Sequence, residues 1–388
     1  MPFFNKRIKL WRTVAVFLTS ILCISVLCSI PSVADNGRLD PPSVSAHSAI
    51  LIEADSGKII FEKNADERRH MASTTKIMTA LVAIENADVG KTVSVSADAI
   101  GIEGSSVYLY EDEKLTLEDL LYAMLLESAN DAAAAIAIEV GGSIEGFADM
   151  MNKKAAELGL KNTHFENPHG LDGESHYTTA RELAIIAREA MSNNDLRSIV
   201  STHKKTIPLN ESEGVRLLIN HNKMLKGYEG AIGVKTGFTK KSGRCLVSAA
   251  ERDGVELICV TLNAPDDWRD HTALLDYGFS LFESRTLCEK DDFRYIQPVI
   301  GGAEEYVLLS ISDDVKVTVP KACGDVEQTI ELPRFSYATI KKGDVIGYLV
   351  YTADGVEIAR VPIFAQYSVE RIVYKKTLWE KITGLFSR

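Results

Sequence analysis

Two kinds of hydrophobic pattern alternate along the chain, and their order predicts a mixed fold. Residues 48–64 form two apolar, β-prone runs around Asp55-Ser56-Gly57, which predicts a β-hairpin. Helical stretches begin near residues 73, 116, 144 and 179. Strand-type runs return in AIGVKTGF, GRCLVSAA and VELICVTL, before a last helix at about 268–283. Strands at both ends with helices between them predict an α+β domain whose sheet is made from both ends of this segment.

The pattern of apolar and polar residues changes after about residue 290. Short strands separated by the turn signals SDD, KKGD and ADG predict a separate small all-β domain at 291–367. In the tail, 368–388, the large apolar side chains fall on one narrow arc at 100° per residue, with the charged ones outside it. This predicts an amphipathic helix in a membrane interface, with docking on the protein itself as the alternative. The arc holds Leu378, Trp379, Ile382, Leu385 and Phe386.

The first 34 residues stand apart. Four basic side chains precede a mostly apolar stretch from Val14 to Ile30, and the small residues Ser32 to Ala34 follow it. This arrangement predicts a signal peptide at 1–34, with an uncleaved transmembrane anchor as the alternative. Either interpretation exports the rest of the chain.

Composition narrows the class of function. The formal net charge of −11 argues against nucleic acid as a partner, because phosphate binding needs concentrated Lys and Arg. The cysteines are too few for a disulfide framework, and Cys245 and Cys259, in apolar strand-like runs, are predicted to be core residues. The eight His are scattered without ligand spacing, so neither a metal nor another cofactor is expected.

Candidate chemistry comes from three short motifs. Ser-x-x-Lys occurs twice, at Ser73/Lys76 and Ser201/Lys204, which is about what chance gives in a chain this long. Ser-x-Asn also occurs twice, at 128/130 and 192/194. Lys-Thr-Gly occurs once, at Lys235, where chance predicts roughly a tenth of a match.

Context separates the two Ser-x-x-Lys sites. Ser73 immediately precedes KIMTALVAI, so its backbone N–H should lie among the unpaired donors of a helix N-terminus. A residue there offers both a nucleophilic oxygen and a donor for a developing oxyanion, and Lys76 points the same way one turn later. Ser201 is followed by a polar, Pro-broken segment, with no helix predicted to position it. Ser73 capping a helix with Lys76 in solvent would be the interpretation of this motif alone.

The three motifs appear in the order that penicillin-binding proteins and serine β-lactamases share. The surrounding segments EKNADERRHMASTTKIMTALVAIE, FENPHGLDGESHYTTARELA and GVKTGFTKKSGRCLVSAA resemble the D-alanyl-D-alanine carboxypeptidases, the low-molecular-mass penicillin-binding proteins. The resemblance implies a transpeptidase-like domain at 35–290, with an antiparallel sheet flanked by helices. It further implies a bacterial cell-wall enzyme on the extracytoplasmic face of the membrane, with peptidoglycan stem peptides as substrate and β-lactams as covalent inhibitors.

The same resemblance implies a role for each motif residue. Ser73 would attack the peptide bond between the last two D-alanines, and Lys76, as a free amine, would take its proton. Ser128 would help pass a proton to the leaving D-alanine, and Asn130 would hold the substrate amide. Lys235 and Thr236 would hold the terminal carboxylate, and Gly237 would let an edge strand approach the substrate closely. The N–H of Phe238 would join that of Ser73 as the oxyanion hole.

Several neighbouring residues are ambiguous. His169, in PHGLD, could touch the site or be a structural loop histidine, and some relatives place a carboxylate-binding Arg where this chain has His221 and Lys223. Glu127 and Asp131 are expected to support the site or lie at the surface rather than act as acids. The aromatic pair before the second motif, Tyr108 and Tyr110, is expected to pack.

Three functions are compatible with these residues. The first is a serine D-Ala-D-Ala carboxypeptidase that trims peptidoglycan. The second is a serine β-lactamase, which the absence of a Glu-x-x-Leu-Asn motif and the extra β domain argue against. The third is a non-catalytic cell-wall-binding protein of the same fold, which has no reason to keep a nucleophile together with its base.

Overall fold

A computed structural model describes residues 40–209 and 214–373 of the chain. The predicted signal peptide, 1–34, lies outside the described residues, as does the part of the predicted tail helix at 374–388. The rest of that predicted tail, 368–373, is not helical: Val369 forms a β-bridge with Ile340 and is buried in the core of the C-terminal β domain, so this part of the prediction is wrong. In the described ranges, no helix combines the length and the apolar character that crossing a membrane requires.

Helices and strands follow the predicted order. The helices of the described residues are α1 (Lys76–Asn86), α2 (Leu117–Leu126), α3 (Asn130–Gly141), α4 (Ile144–Glu157), α5 (Ala180–Ser192), α6 (Asn194–Ser201), α7 (Met224–Gly227) and α8 (Asp267–Leu281). The strands are β1 (Ser48–Glu53), β2 (Ile59–Lys63), β3 (Thr92–Ser94), β4 (Lys114–Thr116), β5 (Lys204–Pro208), β6 (Val215–Ile219), β7 (Ala231–Thr239), β8 (Gly243–Arg252), β9 (Val255–Leu262), β10 (Phe282–Cys288), β11 (Tyr295–Ile300), β12 (Tyr306–Ser310), β13 (Val315–Pro320), β14 (Val326–Glu331), β15 (Ser336–Tyr337), β16 (Val345–Ala353) and β17 (Val356–Ala365).

The main sheet combines the two ends of the first domain. It has five antiparallel strands in the order β2-β1-β9-β8-β7, so the early hairpin pairs with the later three-stranded segment. This confirms the predicted α+β domain. Strand β7, which carries the Lys-Thr-Gly motif, lies at the edge of the sheet and has one side free for another segment.

Side chains that point to opposite faces of the main sheet belong to two different hydrophobic cores. In β9, Ile258 and Val260 belong to the core shared with α1 to α6, whereas Leu257 and Cys259 face the core under α8. Successive side chains point to opposite faces of a strand, so a strand that is apolar throughout is covered on both sides. Cys245 and Cys259 are buried and unpaired, as predicted.

The second helical stretch is interrupted where the sequence indicates. The backbone N–H of Asp119 donates to the Thr116 hydroxyl at 3.1 Å, which is the predicted N-cap of α2. Ser128 lies between α2 and α3 with a φ of 61°, in the left-handed region. The break therefore turns the chain sharply just before Asn130, the first residue of α3.

The C-terminal strands form their own sheets and core. Six strands pair in the order β14-β16-β17-β12-β11-β15, and β10 pairs with β13. The core of this unit includes Val307, Leu309 and Leu349. The predicted small β domain is confirmed. Its strand β10 begins at Phe282, directly after α8, which ends slightly earlier than the predicted helix.

Two local features differ from what the sequence pattern indicated. A short helix that the pattern did not predict, α6, follows α5, and its N-cap Asn193 accepts a hydrogen bond from the backbone N–H of Leu196 at 3.0 Å. Tyr108 and Tyr110 do not pack, and Tyr108 is 85% exposed. The positive φ of 57° at Tyr108 turns the backbone at this point, and local sequence gave no sign of that turn.

Candidate active site

Ser73 lies in a 3-10 turn, Ala72–Thr75, that leads directly into α1. The sequence places it at a helix N-terminus, and the structure adds that the first turn is the tighter kind. Ala72, with a φ of 48°, bends the chain into this turn, which leaves the N–H of Ser73 outside the hydrogen bonds of α1.

Lys76 is fully buried with three oxygen atoms around its amine. Its Nζ lies 3.1 Å from the Ser73 Oγ, 2.7 Å from the Asn130 Oδ1 and 2.5 Å from the carbonyl oxygen of His169. A neutral amine has two N–H donors and one lone pair. With the two donors on Asn130 and His169, the lone pair remains for the hydroxyl proton of Ser73.

The environment favours the neutral form of this amine. Burial lowers the pKa of Lys76 well below its ordinary value, and the charge of Lys235 lowers it further, while Asp131 acts in the opposite direction. The local geometry and the charge distribution thus support the same role, that of a base for Ser73.

The start of α3 holds Asn130 and Ser128 beside Lys76. The Asn130 side chain donates to the carbonyl of Glu103 at 2.5 Å, and its backbone N–H donates to the carbonyl of Ser105 at 2.7 Å. The amide oxygen is therefore oriented toward Lys76 by two contacts with one loop. Ser128, largely buried, lines the cleft above Ser73.

Edge strand β7 forms the opposite wall. A Cβ added to Gly237 would lie 3.0 Å from the Ser73 backbone nitrogen, so glycine lets the strand approach Ser73 this closely. Thr236 and Phe238 line the cleft on either side of it. Lys235 does not: it is 2% exposed, donates to the carbonyl of Thr236 at 2.9 Å, and burial lowers its pKa to about 7.

These walls enclose a cleft of about 380 Å³. Five of the eight predicted site residues line this cleft, namely Ser73, Ser128, Thr236, Gly237 and Phe238. A sixth, Lys76, lies beneath them and is hydrogen-bonded to Ser73. Asn130 and Lys235 are buried next to Lys76 rather than open to the cleft. The cleft is completed by Ser105, His221, Lys223, Arg244, Asp267 and Trp268.

The residues whose roles the sequence left open have defined contacts in the structure. His169 gives its backbone carbonyl to Lys76, and burial lowers the pKa of its ring to about 3, which makes it a neutral structural histidine. His221 lines the cleft and pairs with Glu127 at 3.1 Å. Asp131 is buried and accepts from the Ser106 hydroxyl at 2.6 Å and the Leu109 N–H at 3.1 Å, which holds the loop over Asn130.

Sequence reasoning missed two supports of the site. His176 accepts from the N–H of Glu166 at 3.0 Å through Nδ1, so its Nε2–H donates to the Thr75 hydroxyl at 2.8 Å, behind the nucleophile turn. Arg244 and Asp267 pair at the cleft wall. Neither pair is adjacent in sequence, and no local pattern would have revealed them.

The loop before α5 packs tightly against the nucleophile turn. Gly170 has a φ of 93°, and a Cβ there would lie 2.0 Å from the carbonyl oxygen of Ala72. Gly170→Ala is therefore expected to lower the free energy of unfolding by roughly 2–4 kcal/mol and to weaken acylation of Ser73, because the loop also carries the His169 carbonyl. Urea unfolding and penicillin labelling measure the two effects.

Gly159 provides the matched control for this substitution. Its φ of 74° is similar, but nothing lies within 4 Å of an added Cβ. Gly159→Ala should cost only the backbone strain, about 1 kcal/mol, and leave labelling unchanged. Equal effects of the two substitutions would show that the contact with Ala72 is unimportant.

Comparison with known proteins gives the class and then the family. Two family models match the chain, that of D-alanyl-D-alanine carboxypeptidase over residues 36–266 and that of the penicillin-binding protein 5 C-terminal domain over residues 282–371. The protein is thus a serine peptidase with the two-domain arrangement of a penicillin-binding protein. Because the first match covers more than half of the sequence, the chain belongs to the D-alanyl-D-alanine carboxypeptidase family.

Individual relatives extend over nearly the whole chain. The D-alanyl-D-alanine carboxypeptidase DacF of Bacillus subtilis is 33% identical over 93% of this chain and 95% of its own length. The crystal structure of penicillin binding protein 5 from Haemophilus influenzae covers 86% of this chain and 100% of its own, with 30% identity and a TM-score of 0.66. Penicillin-binding protein 3 from Streptococcus pneumoniae covers 85% of this chain and 100% of its own, at 26% identity and a TM-score of 0.72.

Proposed function

We propose that the protein removes the terminal D-alanine from peptidoglycan stem pentapeptides through an acyl-enzyme on Ser73. The observation that carries this proposal is the buried Lys76 amine, 3.1 Å from the Ser73 hydroxyl in a site that lowers the pKa of the amine. A cell-wall-binding protein would have no use for this pair. The names of the relatives described above, D-alanyl-D-alanine carboxypeptidases and penicillin-binding proteins, supply the substrate class.

Acylation follows from the arrangement of the cleft. The Ser73 oxygen attacks the carbonyl carbon between the last two D-alanines while its proton passes to Lys76. The N–H groups of Ser73 and Phe238 are the proposed donors to the oxyanion. When the tetrahedral intermediate collapses, the C–N bond breaks and the leaving amine takes a proton from Lys76, with Ser128 as the proposed relay. Water then hydrolyses the ester and regenerates the Ser73 hydroxyl.

The dependence of kcat/KM on pH should report the protonation of Lys76. The amine acts as a base only when neutral, so kcat/KM rises as pH increases through the pKa of Lys76. Lys235→Met removes a charge that lowers this pKa, so the pKa rises and the acid limb of the profile moves to higher pH. The exposed Lys226 on α7 is the control, and Lys226→Met should leave the limb in place. An unshifted limb in Lys235→Met would contradict the coupling.

Hydrolysis and inhibition can be tested on the same preparation. A synthetic stem pentapeptide should release one equivalent of D-alanine per molecule hydrolysed. A fluorescent penicillin should form a persistent adduct, and the labelled peptide should contain Ser73. Rapid multiple turnover of nitrocefin without a stable adduct would favour the β-lactamase alternative, and an absence of both reactions would favour the binding protein.

We further propose that the chain divides at Phe282 and acts outside the cytoplasm at the membrane surface. Strand β10 starts the C-terminal sheets at that residue, ahead of the boundary at 290 drawn from the sequence, and the second family match begins there. The apolar arc between Leu378 and Phe386 supports peripheral attachment, and the N-terminal segment 1–34 supports export.

Membrane attachment through the tail has a direct test. Trp379→Glu places a charge in the apolar arc and should abolish co-sedimentation of the full chain with phospholipid vesicles, because the interfacial helix loses its apolar face. Lys376→Glu, outside the arc, should weaken it less. Unchanged sedimentation of Trp379→Glu would favour docking of the tail on the protein.

A further inference from the structure

A loop without helix or strand holds Asn130 in the site. This segment, residues 103–113, is named the Asn130 loop, and it gives the carbonyls of Glu103 and Ser105 to the side chain and the backbone N–H of Asn130. It lies so close that a Cβ added to Gly104, where φ is 97°, would be 2.8 Å from the Asn130 Nδ2. The orientation of the Asn130 amide therefore depends on the position of this loop.

An arginine from a distant part of the chain clamps the Asn130 loop. Arg216, on β6, donates from Nε to the carbonyl of Val107 at 3.0 Å and from Nη2 to the carbonyl of Tyr108 at 3.2 Å. The same guanidinium forms a bidentate pair with Glu113, in which Nη2 donates to Oε2 at 2.9 Å and Nη1 donates to Oε1. Four hydrogen bonds thus tie three points of the loop to one rigid, planar group.

The ion pair of this clamp is buried. The side chain of Arg216 is 10% exposed and that of Glu113 is fully buried. The N–H of Tyr110, also in the loop, donates to the Glu113 Oε2 at 3.3 Å. A buried pair that loses one partner leaves an uncompensated charge. Without the guanidinium, the Asn130 loop would therefore have to move to bring the Glu113 carboxylate into contact with water.

The strand that carries Arg216 also supports the other side of the Ser-x-Asn motif. The N–H of Ile219, three residues further along β6, donates to the Glu127 Oε1 at 2.5 Å. Glu127 directly precedes Ser128. Strand β6 therefore contacts both the loop that holds Asn130 and the residue before Ser128, so a shift at one end of the strand affects both sides of the motif.

We propose that Arg216 is a positioning residue, which holds Asn130 against Lys76 by clamping the Asn130 loop. This inference rests on the proposed function and adds a residue that lies outside the three motifs. Arg216 is not one of the described residues that line the cleft, so it acts on the reaction only through Asn130 and the base. Its loss should slow acylation without removing any group that touches the substrate.

Acylation of single variants by a penicillin tests the clamp. Arg216→Met should lower the second-order rate constant of acylation by about 10²-fold, because a misplacement of about 1 Å in a site can cost that much. Arg216→Lys keeps a charge opposite Glu113 but not the fork, so it should recover most of the unfolding midpoint and part of the rate. Arg197→Met, on α6, is the matched control. Arg197 also pairs with two carboxylates, but outside the cleft, so its loss should leave the rate unchanged.

A double-mutant cycle shows whether the effect passes through Asn130. In the background of Asn130→Ala, the loop has no amide side chain to position. Adding Arg216→Met to that background should lower the rate constant by less than about threefold, instead of about 10²-fold. A general loss of stability would reduce the rate equally in both backgrounds and would overturn the inference.

Removal of the buried charge separates position from stability. Arg216→Met/Glu113→Gln leaves no unpaired carboxylate, so its unfolding midpoint should recover relative to that of Arg216→Met. The carbonyls of Val107 and Tyr108 still lack their donors in this variant, so acylation should stay slow. A rate that recovered together with the midpoint would overturn the inference, since the pair would then contribute only stability.

Failure of the proposed function would look different. A wild-type enzyme that was not acylated by penicillin and released no D-alanine would overturn the proposed function and this inference with it. A wild-type rate of acylation in Arg216→Met would overturn this inference alone. An equal loss of rate in Arg197→Met would also overturn it, because the effect would then follow the loss of any paired arginine.

Discussion

Ser73→Ala is expected to abolish both labelling by a fluorescent penicillin and release of D-alanine from a pentapeptide. The substitution removes the one oxygen that Lys76 contacts in the cleft, and it removes little else, because the turn is formed by backbone groups. A nucleophile and its base act as a unit, so the loss of kcat should be on the order of 10⁶-fold. Gel fluorescence and D-alanine release measure the two losses.

The second Ser-x-x-Lys pair supplies the control. Ser201 is the last residue of α6, and its hydroxyl donates to the carbonyl of Ser198 at 3.0 Å, within its own helix. Ser201→Ala should therefore label and hydrolyse as the wild type does. Normal labelling of Ser73→Ala would show that the nucleophile is another residue and would end the mechanism proposed above.

Lys76→Met is expected to reduce the second-order rate constant of acylation by roughly 10⁴-fold while the protein stays folded. Methionine has nearly the length of lysine but no basic amine, so the Ser73 proton has no acceptor. The Asn130 Oδ1 and the His169 carbonyl lose a donor, at a cost of about 1–3 kcal/mol each. Removing a desolvated amine offsets part of this cost. Stopped-flow acylation and urea unfolding give the two quantities.

Two further substitutions, Lys76→Arg and Lys204→Met, test this prediction. Lys76→Arg keeps a cation but not a base, since a guanidinium cannot be deprotonated in proteins, and should be as inactive as Lys76→Met. Lys204→Met, in the second Ser-x-x-Lys pair, should acylate at the wild-type rate. Substantial acylation by Lys76→Met would show that a group other than Lys76 takes the proton.

Much of the architecture follows from local pattern. The hairpin at 48–64 needs only two apolar, β-prone runs and a turn at Asp55-Ser56-Gly57, and the N-cap at Thr116 needs only its neighbour three residues on. These interactions span few residues, so local sequence contains them in full. The expectation that three motifs carry the chemistry likewise needed only their order and the helix after Ser73.

Where sequence reasoning failed, the cause was a contact or a backbone angle set by distant parts of the chain. Helix α6 was not predicted because its N-cap, Asn193, directly follows the last residue of the previous helix, so the sequence shows no separate start signal. Tyr108 was expected to pack, but the loop that carries it is fixed by the buried Asp131 and turns the ring outward. Neither feature has a periodicity to detect.

The sequence by itself determined that a hydroxyl and an amine lie one turn apart at the start of a helix, within a serine-peptidase chain. Only the tertiary structure gives the amine the environment that a base requires. Asn130 and His169, 54 and 93 residues further along, surround Lys76 and exclude water from it, and Lys235 adds a like charge. A pKa depends on burial and on nearby charges in three dimensions, and the same holds for the pairing of Arg244 with Asp267. Spacing along the chain fixes neither.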